Sequence, residues 1–161
     1  INTHAHLDHI GAVSALQKQW DIPFYLHKNE AQVLDTYEET CRFFNITAGE
    51  KPIVDFWIED ESLLTFGNLS FTPLFTPGHT PGGTTYIIED HVFVGDTLFR
   101  GSVGRTDLPG GNWSTLEGSL LKMMEKITPE HTLHSGHGPD TTMDVERMEN
   151  PFLISLINRV N

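Results

Sequence analysis

Cysteine is almost missing from this sequence: Cys41 stands alone among 161 residues. An internal disulfide is therefore excluded, and so is a thiolate metal cluster. Cys41 falls in the helix-like run Glu38-Glu39-Thr40-Cys41-Arg42-Phe43, where a small buried side chain is its expected role. Positive charge is also scarce, with 10 Lys and Arg against 22 Asp and Glu and a formal net charge of −12. A surface of that sign repels phosphate backbones, so no nucleic-acid partner is expected. No apolar run approaches the ~20 residues of a membrane-spanning helix, so no membrane partner is expected either. No signal peptide is visible, although Ile1 rather than Met opens the chain. Nothing requires an oxidising compartment, and the cytoplasm is the expected location. The apolar fraction, 38%, suits one ordinary core.

Histidine is what the sequence has in excess, with nine in all. It is the commonest metal ligand and the usual acid–base group near neutral pH. Two of them crowd with a carboxylate and a third imidazole into Thr3-His4-Ala5-His6-Leu7-Asp8-His9. In an extended segment His4 and His6 point to the same side, because side chains alternate. Asp8 and His9 follow at the turn into a helix and can aim at a second point nearby. Two imidazoles for one cation, with a carboxylate and an imidazole for a neighbour, form a set that borderline-soft zinc accepts. A lone Asp8 would be a helix N-cap and a lone His a surface residue. Four such groups between His4 and His9 argue for metal instead.

Hydrophobic periodicity predicts a helix over Ile10 to Trp20, a strand over Pro23 to His27 and a helix from Asn29 to Phe44. Strand-like runs follow at Leu63 to Phe66, Leu69 to Phe75, Thr84 to Ile88 and Val92 to Val94, with tight turns at Gly67-Asn68 and Glu89-Asp90. A helix over Ser114 to Ile127 presents Leu116, Leu120, Met123 and Ile127 on one face. A strand at His131 to His134 and a helical tail broken at Pro151 complete the order, which suits layered α/β architecture. His79, Asp96 and His137 each sit just past a predicted strand, and strand ends along one sheet edge make a shared site. His27, His91, His131 and His134 lack that setting and read as strand-surface or turn residues.

The ordered set His4-x-His6-x-Asp8-His9, His79, Asp96 and His137 resembles the metallo-β-lactamase superfamily. Gly95-Asp96-Thr97-Leu98-Phe99 and Gly104-Arg105-Thr106-Asp107 look like its glyoxalase II and persulfide dioxygenase branches. The resemblance implies an α/β fold, an αββα sandwich with metals at one edge of two sheets. It implies two divalent ions, zinc first with iron or manganese as alternatives. His4, His6 and His79 would hold one ion, Asp8, His9 and His137 the other, and Asp96 would bridge them. The strands that precede the first motif in the family are not in this sequence, so 1–161 is expected to be one N-terminally incomplete domain. The helical domain that follows the fold in full-length glyoxalase II is not in it either, so the chain looks most like compact members. Asp96 in place of a bridging cysteine weakens a true β-lactamase assignment.

The activity implied is hydrolysis of an ester or thioester by a metal-bridging hydroxide, available because metal brings the pKa of water to about 7. Asp8 would also orient that water. The ligand charges leave the site at about +1, enough to attract a small anionic substrate such as a glutathione thioester. Arg105 aligns with a basic substrate contact of glyoxalase II, and Arg100 is a weaker second. An ion pair between Arg105 and Asp107 is the alternative role. Two other readings stay open: a mononuclear iron persulfide dioxygenase using His4, His79 and Asp96, and a metal-stabilised binding module without activity.

Overall fold

The computed structural model describes residues 1–160. The first two helices, α1 (Leu7–Ile10) and α2 (Val13–Trp20), replace the single helix that the periodicity predicts. His6 O accepts from both His9 N and Ile10 N at 2.9 and 3.1 Å, so the helix begins ahead of Asp8. It then breaks at Gly11, a weak helix former. The expected apolar face is only partly used, since Ile10 is buried while Trp20 is 60% exposed. Strand β1 (Tyr25–His27) leads through a 3-10 turn (Lys28–Glu30) into α3 (Ala31–Asp35) and α4 (Tyr37–Phe43). These last two divide at Thr36, whose hydroxyl and N–H both donate to Val33 O, at 2.8 and 3.1 Å. A short strand with no periodic signal, β2 (Phe56–Ile58), returns to pair in parallel with β1.

The second half forms a six-stranded sheet. It contains β3 (Leu64–Phe66), β4 (Leu69–Phe75), β5 (Thr84–Ile88) and β6 (His91–Gly95). The hairpin β7 (Leu98–Phe99) and β8 (Ser102–Val103) stands apart, followed by α5 (Trp113–Lys126). Then come β9 (Thr132–Ser135), β10 (Thr141–Thr142), α6 (Met143–Glu149) and α7 (Pro151–Val160). The large sheet has the order β10-β9-β6-β5-β4-β3. Both expected two-residue turns are present, with Phe66 opposite Leu69 and Ile88 opposite His91.

Helices cover the outer face of each sheet. Leu116, Leu120, Met123 and Ile127 of the α5 region are at most 1% exposed and pack with Val92, Val94 and Leu133 of the large sheet. Each such side chain contributes about 1.5–3 kcal/mol by leaving water. Asn112 caps α5 by accepting from Thr115 N at 2.9 Å. A second core joins Ile10, Phe24, Leu26, Leu34, Tyr37 and Cys41 around β1, and Cys41 takes the buried role expected of it. Between the sheets, Tyr25 meets Phe66 and His27 meets Phe75. The layers therefore run helix, sheet, sheet, helix, which is the expected αββα sandwich. No helix among the described residues is long and apolar enough to cross a membrane.

One consequence of the pairing places the site. β4 and β6 each run antiparallel to β5, and β9 runs parallel to β6. So β4, β6 and β9 all exit at the same sheet edge, and their following loops carry His79, Asp96 and His137.

Candidate metal centre

The first motif is suspended at that edge between the two sheets. Asn2 N donates to Tyr25 O at 3.3 Å on one side, and Thr84 N donates to Thr3 O at 2.9 Å on the other. All seven side chains singled out from the sequence converge there. His4, His6 and His79 form one group, with ring centroids 4.6 to 5.0 Å apart and His6 Nδ1 2.9 Å from His79 Nε2. Asp8, His9 and His137 form another, with Asp8 Oδ2 3.0 Å from His137 Nε2 and 3.6 Å from His9 Nε2. Asp96 faces both: Oδ2 lies 3.6 Å from His79 Nε2 and 3.4 Å from His137 Nε2, and Oδ1 lies 3.4 Å from His9 Nε2.

Do these residues fit a metal? His4 Nε2, His9 Nε2 and Asp96 Oδ1 are buried with no hydrogen-bond partner. Leaving such an atom unsatisfied costs about 1–3 kcal/mol, so three at one point mark a place built for a further partner. Both His4, His6, His79 and Asp8, His9, His137 place ligand atoms within 4.8 Å of one another, as does His4, His9, Asp96. The outer ring nitrogens are held as well. Thr3 Oγ1 meets His4 Nδ1 at 3.1 Å, and His79 Nδ1 donates to Arg105 O at 2.7 Å. Such contacts fix the ring orientation and leave Nε2 for an ion. The first group is the deeper, with His4 2% exposed, while the His137 side chain is 57% exposed.

The loop bearing His137 reaches the centre through Gly136. Its N–H donates to Gly95 O at 2.9 Å, and a Cβ there would overlap Asp96 Oδ1 and lie 2.7 Å from His9 Cε1. Only glycine allows this approach.

Crowding of imidazoles shapes their titration. Burial, then the neighbouring rings, pushes His4 well below its ordinary value, and burial with His79 beside it lowers His6 to about 4. Burial also works against a charged His9, but the Asp96 and Asp8 carboxylates outweigh it and raise His9. Asp96 is likewise desolvated, yet His9, His79 and His137 hold it below the usual carboxylate range. As pH falls through 6.5, unfolded His4 and His6 gain protons that the folded chain refuses until about 4 for His6. Stability therefore drops across that window, and His9, with the opposite sign, offsets only part of it. Melting of chelator-treated protein should fall by roughly 5 °C or more between about pH 7.5 and about pH 5. A flat profile would contradict this account of the cluster.

The comparisons agree with the geometry. The sequence profile of the metallo-beta-lactamase superfamily matches residues 1–137. The chain belongs to that superfamily. A probable metallo-hydrolase of Bacillus subtilis, YqgX, is 46% identical over 160 residues, covering 94% of this chain and 73% of that one. The hydroxyacylglutathione hydrolase GloC of Haemophilus influenzae is 32% identical over 157 residues, covering 95% and 74%. A protein crystallised in a di-iron-bound form superposes with a TM-score of 0.85 at 40% identity, covering 94% of this chain and 75% of that one. Superfamily membership and the three candidate His/Asp groups point to divalent metal binding, and the di-iron neighbour leaves the identity of the metal open.

The remaining residues singled out from the sequence are placed differently. Arg105 is exposed and holds Asp107 in a two-bond pair at 2.6 and 2.7 Å, the alternative role named for it. Its backbone carbonyl, rather than its side chain, touches the centre through His79. Arg100 is exposed at the β7–β8 turn and has no ion-pair partner among the described residues. His91 and His134 pair on the sheet surface at 2.9 Å, and His131 meets Thr128. His27 departs from its surface reading: it is 4% exposed, with Asn29 N donating to its Nδ1. The sequence pattern gives little sign of Glu30, which is fully buried beside the centre. Its only local signal is an acidic residue at a helix start, which ordinarily marks a favourable dipole contact at the surface.

Proposed function

We propose that the chain is a metal-dependent hydrolase of an ester or thioester, in the manner of a compact glyoxalase II, and that the seven convergent side chains hold two ions. The observation that carries this is Asp96, whose two oxygens face both groups within 3.4 to 3.6 Å. A carboxylate so placed offsets the repulsion of two cations. Zinc fits the N/O donor set, and iron or manganese would be accepted by it too. Bound there, two divalent ions would bring the pKa of a shared water to about 7 and polarise a carbonyl. His4, His6 and His79 anchor the buried side. Asp8, half-exposed at the open side, would orient the attacking water. A thiolate departs unprotonated, so the reaction asks for no general acid. The 32% identity to GloC supports a glutathione thioester as substrate.

The second reading is a mononuclear iron dioxygenase acting on a persulfide. It is favoured by the set His4, His9, Asp96, two imidazoles and a carboxylate at one point, with His9 where the sequence suggested His79. The two readings separate in one assay. Zinc- and iron-loaded protein are given an acyl-glutathione, with thiol release followed, and glutathione persulfide, with oxygen uptake followed. Thiol release without oxygen consumption is expected. Oxygen uptake by the iron form, with no thiol released by either, would overturn the hydrolase.

Arg105 lies on the loop that His79 grips, and its guanidinium would turn from Asp107 to an anionic substrate. Arg105→Ala should then raise KM several-fold while kcat changes little, because it removes binding shared by ground and transition states. An unchanged KM would leave Arg105 with Asp107 alone.

A further inference from the structure

One buried carboxylate is used by no part of the hydrolytic scheme. Glu30 closes the 3-10 turn after β1 and is 0% exposed. Its Oε2 accepts from Ala5 N at 2.8 Å, and its Oε1 accepts from Gly82 N at 2.6 Å. Ala5 lies between His4 and His6, and Gly82 lies three residues past His79. Each oxygen therefore grips one of the two chain segments that carry the three imidazoles of the buried group. The fit at Gly82 is close enough to require glycine: a Cβ there would lie 2.7 Å from His27 Nδ1, 2.8 Å from Glu30 N and 2.9 Å from Glu30 Cγ.

Taking a carboxylate out of water is costly unless its oxygens are paired. Two charge-assisted bonds from backbone N–H groups offset part of that cost. Burial still leaves the Glu30 carboxyl above its ordinary range, against the pull of the Thr80 side chain, of those two bonds and of nearby His79.

We propose that Glu30 is a positioning residue of the metal centre: it sets the spacing between the His4–His6 segment and the His79 loop, and with it the affinity and geometry of the ion they hold. This rests on the metal reading of the site. Glu146 is a matched contrast. It is 1% exposed and accepts from Gly101 N, Thr141 Oγ1 and Asn150 Nδ2 at 2.6 to 2.8 Å. It ties α6 to β10 and to the β7–β8 turn, none of which carries a ligand candidate.

The test titrates the full chain with zinc against a chromophoric chelator and records the visible spectrum with cobalt. Glu30→Gln keeps the volume but turns one acceptor into an amide donor facing an N–H. It should weaken the tighter site by about 10–100-fold and shift the cobalt bands, as loss of an outer partner does. Glu146→Gln should melt earlier yet bind both metals as the wild type does. Glu30→Asp keeps the charge but is a methylene short of spanning both N–H groups, so its loss should be smaller but measurable. Wild-type zinc affinity and cobalt spectrum in folded Glu30→Gln, or in Glu30→Asp if the first does not fold, would overturn the proposal alone. Failure of the wild-type chain to bind zinc would overturn the metal reading, and this proposal with it.

Discussion

Asp96→Ala is expected to deprive the protein of both ions and to lower kcat/KM by at least about 10³-fold, beyond the 10–100-fold typical of an outer partner. The reason is geometric. Asp96 is the carboxylate whose two oxygens face both groups, with His79 on one side and His9 and His137 on the other. On the two-ion reading, removing it would take a ligand from each ion and restore their full mutual repulsion. His137→Ala should instead release one ion, because His137 is grouped with Asp8 and His9 at the open side. Competition titrations of the two variants make the comparison. Loss of a single ion by both would show that Asp96 belongs to one site.

The second large effect concerns a residue with no side chain. Gly136→Ala places a methyl where Asp96 Oδ1 and the His9 ring already stand. Neither can withdraw easily, since Asp96 is 8% exposed and the β6 and β9 exits are tied by the bond from Gly136 N to Gly95 O. The loop must back away and take His137 with it. A shift of about 1 Å in a catalytic centre costs on the order of 10²-fold in rate, so activity should fall by that much or more. Gly138→Ala, in the same loop, meets nothing within 4 Å but has a φ of 83°, so its penalty is backbone strain without intrusion on the centre. Its metal content should stay near that of the wild type. Full activity in Gly136→Ala would contradict the close approach that defines the open half of the centre.

The chemistry was easier to read than the architecture around it. His4, His6, Asp8 and His9 announce themselves because four donors within one turn-forming segment have no ordinary structural use. His79, Asp96 and His137 are legible because each follows an apolar strand, and three strands running one way must deliver their loops to one edge. The helix break at Gly11 was not legible, since the apolar spacing continues from Ile10 to Leu16 and hides it. The strands Phe56–Ile58, Leu98–Phe99, Ser102–Val103 and Thr141–Thr142 are too short to show any period. Glu30 and His27 are hidden in the sequence for a different reason. Their burial is a product of tertiary contact with Gly82 and Phe75, and no pattern near Glu30 or His27 encodes it. Arg105 shows the reverse case, a basic residue legible as a substrate contact whose nearest partner is Asp107.

The central claim is that one chain holds two ions through two groups sharing Asp96. Elemental analysis of metal-replete wild type, beside Asp8→Ala, tests it most directly. Asp8 touches only the open group, with Oδ2 3.0 Å from His137 Nε2 and 3.6 Å from His9 Nε2. The account predicts about two ions per wild-type chain and about one in Asp8→Ala, with the buried group still loaded. A ceiling of about one ion in both proteins would contradict it and leave a mononuclear centre in its place.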